Sequence, residues 1–159
     1  MRIGIFDSGV GGISVLYDAL KILPREDYLY FADTLNVPYG PKPKAEVRKC
    51  VFNAMEFIVQ QGVKAIIVAC NTATSVAIED LRSNYSIPII GMEPAVKLAV
   101  KQSTQANRRI LVTATVLTLK EEKLQNLIAQ VDSEHMVDLL PLPGLVEFAE
   151  KLQFDERIV

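Results

Sequence analysis

Cysteine is scarce in this chain: there are two in 159 residues, Cys50 and Cys70, in segments unlike each other. So few exclude a disulfide framework, and the pair reads as two thiols in a reducing compartment. No C-x-x-C spacing occurs and the single histidine is His135, which leaves a metal site without its usual ligands. No apolar run approaches the roughly 20 residues that span a bilayer. The amino terminus MRIGIFDSG turns polar at Asp7, too soon for the apolar region of a secretory signal. These absences predict a cytoplasmic protein with no membrane partner. Surplus positive charge is missing too, since 17 basic and 19 acidic side chains give a formal net charge of -2. The densest basic cluster, GPKPK, is short and broken by prolines, so it reads as a solvated loop and not as a track for a nucleic-acid backbone.

What is present is ordinary globular material, 50% hydrophobic, long enough for one domain or one and a fraction. Short β-branched or aromatic runs at 2–6, 28–32, 64–69, 87–91, 109–114 and 136–142 alternate with stretches of helical period. That alternation predicts an α/β fold, a mainly parallel sheet with helices on both faces. In AEVRKCVFNAMEFIVQQG, the residues Val47, Cys50, Val51, Ala54, Phe57 and Ile58 follow one helical face and Gly62 stands where the helix should stop. Cys50 is therefore expected to be a buried, inert core thiol. Polar residues at 101–109 separate two apolar blocks, and the expected organisation is a first lobe over 1–100 and part of a second over 101–159.

In a parallel sheet the loops leaving the carboxyl ends of the strands gather on one edge, where such folds hold ligands. Here those loops are DSGVGG (7–12), DTLNVPYG (33–40), CNTATS (70–75) and TVLTLK (115–120), all rich in hydroxyls, amides, carboxylates or glycine. The glycine-rich turn completes neither nucleotide pattern: Ile13 and Ser14 follow Gly12 where a phosphate loop needs Lys-Ser/Thr, and Ser14 stands where the dinucleotide fingerprint needs a third glycine. It remains a tight turn able to hold a small anion such as a carboxylate. Cys70 lies where a helix should begin, near Asn71 or Thr72, so dipole and free N–H groups are expected to favour its thiolate. It reads as a base or nucleophile more reactive than Cys50, or else as a small residue packed at a crowded strand end. Asp7, ending the neighbouring strand, can accept the thiol proton or orient the cysteine; taken alone it is also a helix N-cap.

Four ordered stretches, GIFDSGVGGISVL, YFADTLNVPYGPK, IIVACNTATS and IPIIGMEPAVK, resemble the successive signatures of the glutamate racemases. That resemblance implies cofactor-independent interconversion of L- and D-glutamate for peptidoglycan synthesis, with no metal and a small-molecule substrate. It implies catalytic roles for Cys70 and Asp7. It implies a substrate-lining set of Ser8, Pro38, Tyr39, Gly40, Asn71, Thr72, Thr115 and Thr118. Glu147 matches the family's acidic helix residue or is a solvent-facing carboxylate; both readings stand. Inversion needs a base on one face of the α-carbon and a donor on the other, and in the family a later GCTHYP-type turn brings the second cysteine and a histidine. This sequence contains no such turn. Cys50, on a core stripe, does not replace that cysteine, and His135, among polar residues before a strand, reads as a surface side chain. The chain is therefore expected to be the amino-terminal part of a racemase, inactive alone. Two rival readings remain: a non-catalytic domain that self-associates as a homo-oligomer, and a racemase of aspartate or another acid.

Overall fold

The computed structural model describes residues 1–106 and 108–153. The strands are β1 (Ile3–Asp7), β2 (Tyr28–Ala32), β3 (Ala65–Val68), β4 (Ile89–Gly91), β5 (Ile110–Ala114) and β6 (Val137–Pro141). The helices are α1 (Ile13–Ile22), α2 (Lys44–Gln60), α3 (Asn71–Asn84), α4 (Val96–Ala106), α5 (Val116–Lys120), α6 (Glu122–Val131) and α7 (Pro143–Glu150). Each run expected to be a strand contains one: β2 keeps its expected bounds, β1 is shifted by one residue to end at Asp7, and the other four are shorter than expected. All pairings are parallel, but they form two sheets, one four-stranded in the order β2-β1-β3-β4 and one two-stranded, β5-β6. Among the described residues, no helix is long and apolar enough to cross a membrane.

The first sheet has β1 at its centre, and every residue of β1 is buried. Register pairs Phe6 with Phe31 on one side and with Val68 on the other, so the carboxyl ends of β1, β2 and β3 lie level. Right-handed crossovers put α1 on one face and α2 with α3 on the other. The large core fills the second of these faces, from Phe6, Ile66 and Val68 of the sheet to Met55 and Ile58 of α2 and Ile78 and Leu81 of α3. A second, smaller core joins Val96 and Val100 of α4 to Ile110 and Val112 of β5, Leu119 of α5 and Leu124 of α6.

Helix α2 corrects one expectation. Its buried face is Val47, Val51, Ala54, Met55 and Ile58, a tighter stripe than the one read from sequence, because successive steps of three or four select Met55 in place of Phe57. Phe57 is 46% exposed. Cys50 sits at the border of the stripe, half-buried against the core. The helix ends as expected, with Gln61 as its C-cap and Gly62 at a positive φ of 70° that glycine adopts without strain.

Candidate active site

Strand β1 ends at Asp7, and the Ala69 N–H donates to the Phe6 carbonyl at 2.8 Å, so the turn after β1 and the turn after β3 lie side by side. Both open into a cavity of about 790 Å³ lined from both sheets. From the first come Asp7, Ser8, Tyr39, Gly40, Cys70, Asn71 and Thr72, and from the second Thr115 and Thr118. The structure thus gathers these residues from four separate loops. Pro38 and Glu147 are not on the cavity wall: Pro38 is half-buried beside it in sequence, and Glu147 is exposed on α7.

Cys70 is the N-cap of α3, and its sulfur accepts from the Ala73 N–H at 3.4 Å. Ser8 Oγ lies 3.4 Å from the same sulfur. The thiol is buried, 7% exposed, and this overturns the expectation of a favoured thiolate. Burial first, then the nearby Asp7 carboxylate, push the Cys70 thiol above its ordinary range; hydrogen bonds from Ser8 and Ala73 pull it down without cancelling that rise. Desolvation outweighs the helix terminus because a charge without water or a counter-ion costs more than a few dipoles return. Cys50 is pushed up as well, by burial and by Asp33.

The role expected of Asp7 is also revised in detail. Its Oδ2 accepts from the Gly9 N–H at 3.0 Å, an Asx turn and not a helix cap, since the residue before α1 is Gly12. Among the described residues, the side chain in contact with the Cys70 sulfur is Ser8, while Asp7 acts on the thiol through its charge.

Opposite Cys70 stand three threonine hydroxyls. Thr72 Oγ1 lies 3.1 Å from Thr115 Oγ1 and 3.2 Å from Thr118 Oγ1, and the Thr115 hydroxyl donates to Thr118 at 3.0 Å. Thr115 is also the N-cap of α5, accepting from the Thr118 N–H at 3.2 Å. In this closed ring each hydroxyl uses its one proton, which leaves lone pairs on Thr72 and Thr118 to accept from a ligand. Gly40 meets the same corner: a Cβ there would lie 2.8 Å from Thr115 Cβ, so only glycine lets this loop approach β5.

Two residues that tie the turn after β1 escaped the sequence reading. Glu150, not Glu147, is the carboxylate that α7 sends to the cavity, where both its oxygens accept from the Val10 N–H, at 3.1 and 3.2 Å. The signal was there: Leu142, Leu145, Val146 and Ala149 line the cavity in steps of three and four, which include position 150 and leave out 147. The other is Tyr30, whose hydroxyl donates to the Gly9 carbonyl at 2.7 Å; nothing in a strand of alternating aromatics marks it. The charged groups on the cavity wall are Asp7, Glu93 and Glu150. Among the described residues, no cluster of three metal-ligating side chains occurs. His135 is exposed.

The family model for Asp/Glu/Hydantoin racemase matches residues 17–157. Glutamate racemase 2 of Bacillus subtilis is 60% identical over 98% of this chain and 59% of its own length, and the glutamate racemase of Halothermothrix orenii 61% identical over 100% and 62%. Among solved structures, Escherichia coli glutamate racemase in complex with L-glutamate and the activator UDP-MurNAc-ala is similar, with TM-score 0.88 and 33% identity over 98% of this chain and 59% of that one. The chain spans about three fifths of the length of these relatives. With a family model matched over 17–157, two parallel sheets facing one cavity and this degree of identity, the chain belongs to the Asp/Glu/Hydantoin racemase family.

Proposed function

We propose that this chain supplies one wall of a glutamate racemase site, with Cys70 as the acid/base for one face of the α-carbon. The observation that carries this reading is the setting of Cys70, a buried thiol on the cavity wall with donors from Ser8 and Ala73 at its sulfur. A substrate ammonium entering beside Asp7 and Glu150 offsets their charge and lowers the cost of the thiolate. Asp7, whose charge acts on the thiol, takes the thiol proton; the thiolate then takes the α-proton, and the electron pair is left on the α-carbon next to the carboxylate. Return of the proton from Cys70 restores the same enantiomer, while inversion needs a donor on the opposite face. The sequence contains no second cysteine turn, and Cys50 lies on α2 outside the cavity wall.

Cations do not line the described cavity, so substrate carboxylates must be held by amide donors at the start of α3 and by side-chain amides and hydroxyls. In this reading Ser8, Gly40 and Asn71 cradle the carboxylates, the lone pairs of Thr72 and Thr118 accept from the substrate ammonium, and Tyr39, whose hydroxyl donates to Asp33 at 2.6 Å, shapes the wall with Thr115 and Pro38. The cradle works without cofactor, in the cytoplasm, and the lobes are 1–100 and 101–159. One methylene of substrate is worth about 1–3 kcal/mol, so aspartate is the nearest competitor. Titration of the isotope-labelled chain with L-glutamate, D-glutamate and L-aspartate tests the reading: amide resonances of Ser8, Asn71 and Thr72 must shift with either glutamate and less with aspartate. Unmoved resonances at saturating glutamate contradict it.

A second reading, self-association, has one specific observation in its favour. Helix α1 has no buried residue, and Ile13, Tyr17, Leu20 and Ile22 are 52%, 62%, 44% and 76% exposed. An apolar face of this kind marks an interaction surface. Light scattering over a concentration series separates a monomer from an assembly.

A further inference from the structure

We propose that Tyr30 is a positioning residue for Cys70: its hydroxyl clamps the Gly9 carbonyl and thereby holds Ser8 against the cysteine sulfur. The proposal deepens the racemase reading and rests on it for its catalytic meaning. The turn after β1 is tied at successive peptides. Gly9 N–H donates to Asp7 Oδ2 at 3.0 Å, the Gly9 carbonyl accepts from Tyr30 at 2.7 Å, and Val10 N–H donates to Glu150 at 3.1 Å. Of these ties, the Tyr30 bond is the one made by a neutral donor from the neighbouring strand. Its strand is in fixed register with β1, Ile5 opposite Tyr30 and Asp7 opposite Ala32, so the clamp is anchored to the sheet and not to another loop. The Tyr30 ring is half-buried, and a Cβ on Gly12 would lie 3.1 Å from its hydroxyl oxygen, so glycine at 12 is what lets the hydroxyl come close to this turn.

The consequence reaches Cys70 through Ser8. The hydroxyl of Ser8, 3.4 Å from the sulfur, and the Ser8 N–H both favour the thiolate against burial and the charge of Asp7. Without the clamp the Gly9–Val10 peptide is held by Val10 N–H on Glu150 of α7, a helix with no buried residue; the turn loosens, Ser8 leaves the sulfur, and thiolate formation becomes harder. The ionisable groups facing the thiol are Asp7 of β1, Tyr30 of β2 and Tyr39 of the following loop, with Glu150 of α7 facing Tyr30. The phenol of Tyr30 is itself pushed well above its ordinary range, by burial and then by Asp7, Glu150 and Cys70. It therefore stays a donor well beyond the pH at which an ordinary phenol ionises.

The test is the pH profile of Cys70 alkylation by iodoacetamide, followed by peptide mass mapping in the intact 159-residue chain. The chains compared are the parent, Tyr30→Phe, Ser8→Ala, the double variant and, as control, Tyr28→Phe, whose hydroxyl donates to the Ala19 and Leu23 carbonyls at the far end of β2. Tyr30→Phe is expected to label about threefold more slowly near pH 8, with a midpoint about 0.5 higher. Ser8→Ala is expected to shift the same way, the double variant no further than the larger single effect, and Tyr28→Phe not at all. A Tyr30→Phe profile equal to the parent's, faster labelling, or multiplying effects in the double variant would overturn the proposal. If circular dichroism finds Tyr30→Phe unfolded, fluorination of Tyr30 beside the hydroxyl, which strengthens the donor and keeps the ring, must lower the midpoint; an unchanged midpoint overturns the proposal. Alkylation reads the thiol and not turnover, so failure of the racemase reading leaves this pattern intact, and failure here leaves proton exchange on glutamate untouched.

Discussion

The two sheets of this molecule are built to different standards. The four-stranded sheet packs α2 and α3 on a continuous core in which Phe6, Val47, Val51, Met55, Ile58, Ile66 and Val68 are wholly buried. The two-stranded sheet has a small core, one strand, β6, that is largely exposed, and a helix, α7, with no buried residue. The groups that must hold a fixed geometry, Asp7, Ser8 and Cys70, are on the first. The second is joined to it by Leu117 of α5, which packs on the large core, and by polar ties: the threonine ring, Lys44 to Glu121 at 2.6 Å, Lys123 to Glu79 and Glu93 at 3.0 and 2.8 Å, and Glu150 to Val10. The exposed ion pairs of Lys123 cost little to exchange with water, whereas Thr72, Thr118 and Glu121 are buried, so the second wall rests on less packed apolar surface than the first and more on polar contacts.

The largest expected effect comes from cutting into the firm side. Ile58, wholly buried beneath Gly4, packs where nothing can collapse around it, and Ile58→Ala should cost about 2–5 kcal/mol in urea unfolding. Leu124→Ala, in the smaller core at 4% exposure, should fall at or below the bottom of that range. Equal costs would erase the distinction between the regions. Next in size is Gly40→Ala, whose Cβ would meet Thr115 at 2.8 Å and wedge the two sheets apart, at about 1–3 kcal/mol. Its signature is local, shifted amides at Thr72, Thr115 and Thr118 with β2 unmoved; a silent substitution would mean that the second wall already stands farther off.

How much of this could be read beforehand follows from what each feature depends on. Strand positions were legible because β-branched and aromatic runs bounded by turns are local signals, and the four-loop site followed because parallel strands all deliver their loops to one edge. The polar stretch at 101–109 suggests a lobe boundary between β4 and β5, but the order in which strands pair within each sheet was not legible, since pairing is decided over long range. The protonation bias of Cys70 was misjudged for a similar reason. Its place at a helix start is written in CNTATS, but its burial depends on residues from other loops. Glu150 was missed although its helix face was readable, whereas the Tyr30 hydroxyl bond needed the register of β1 against β2.

Raising pH should weaken the firm side selectively. Burial, followed by Asp7 for Cys70 and by the Asp33 hydrogen bond for Tyr39, holds both groups above their ordinary ranges, and Tyr30 likewise. Unfolded, a cysteine titrates near about 8.5 and a tyrosine near about 10. The folded state keeps these protons longer, so the stability they confer is complete below about pH 8.5 and is lost as pH rises beyond it. Urea midpoints at rising alkaline pH should fall, and Tyr39→Phe should flatten the fall; a flat parent profile would contradict the assignment. The smallest effect belongs to Lys123→Met. Its partners Glu79 and Glu93 are 72% and 44% exposed in their side chains, so the loss should be about 0–1 kcal/mol and should vanish in high salt. A larger, salt-independent loss would make the second wall firmer than its packing implies.

Cys70 as the acid/base of a single face is the role on which the proposed chemistry depends, and hydrogen exchange on glutamate measures it most directly. The chain is incubated with each enantiomer in heavy water, with α-proton loss followed by NMR and configuration by optical rotation. The expected result is slow α-hydrogen exchange with retention for one enantiomer, no racemisation, and loss of exchange in Cys70→Ala. Conversion of L- to D-glutamate by these 159 residues, or exchange that survives Cys70→Ala, would contradict it.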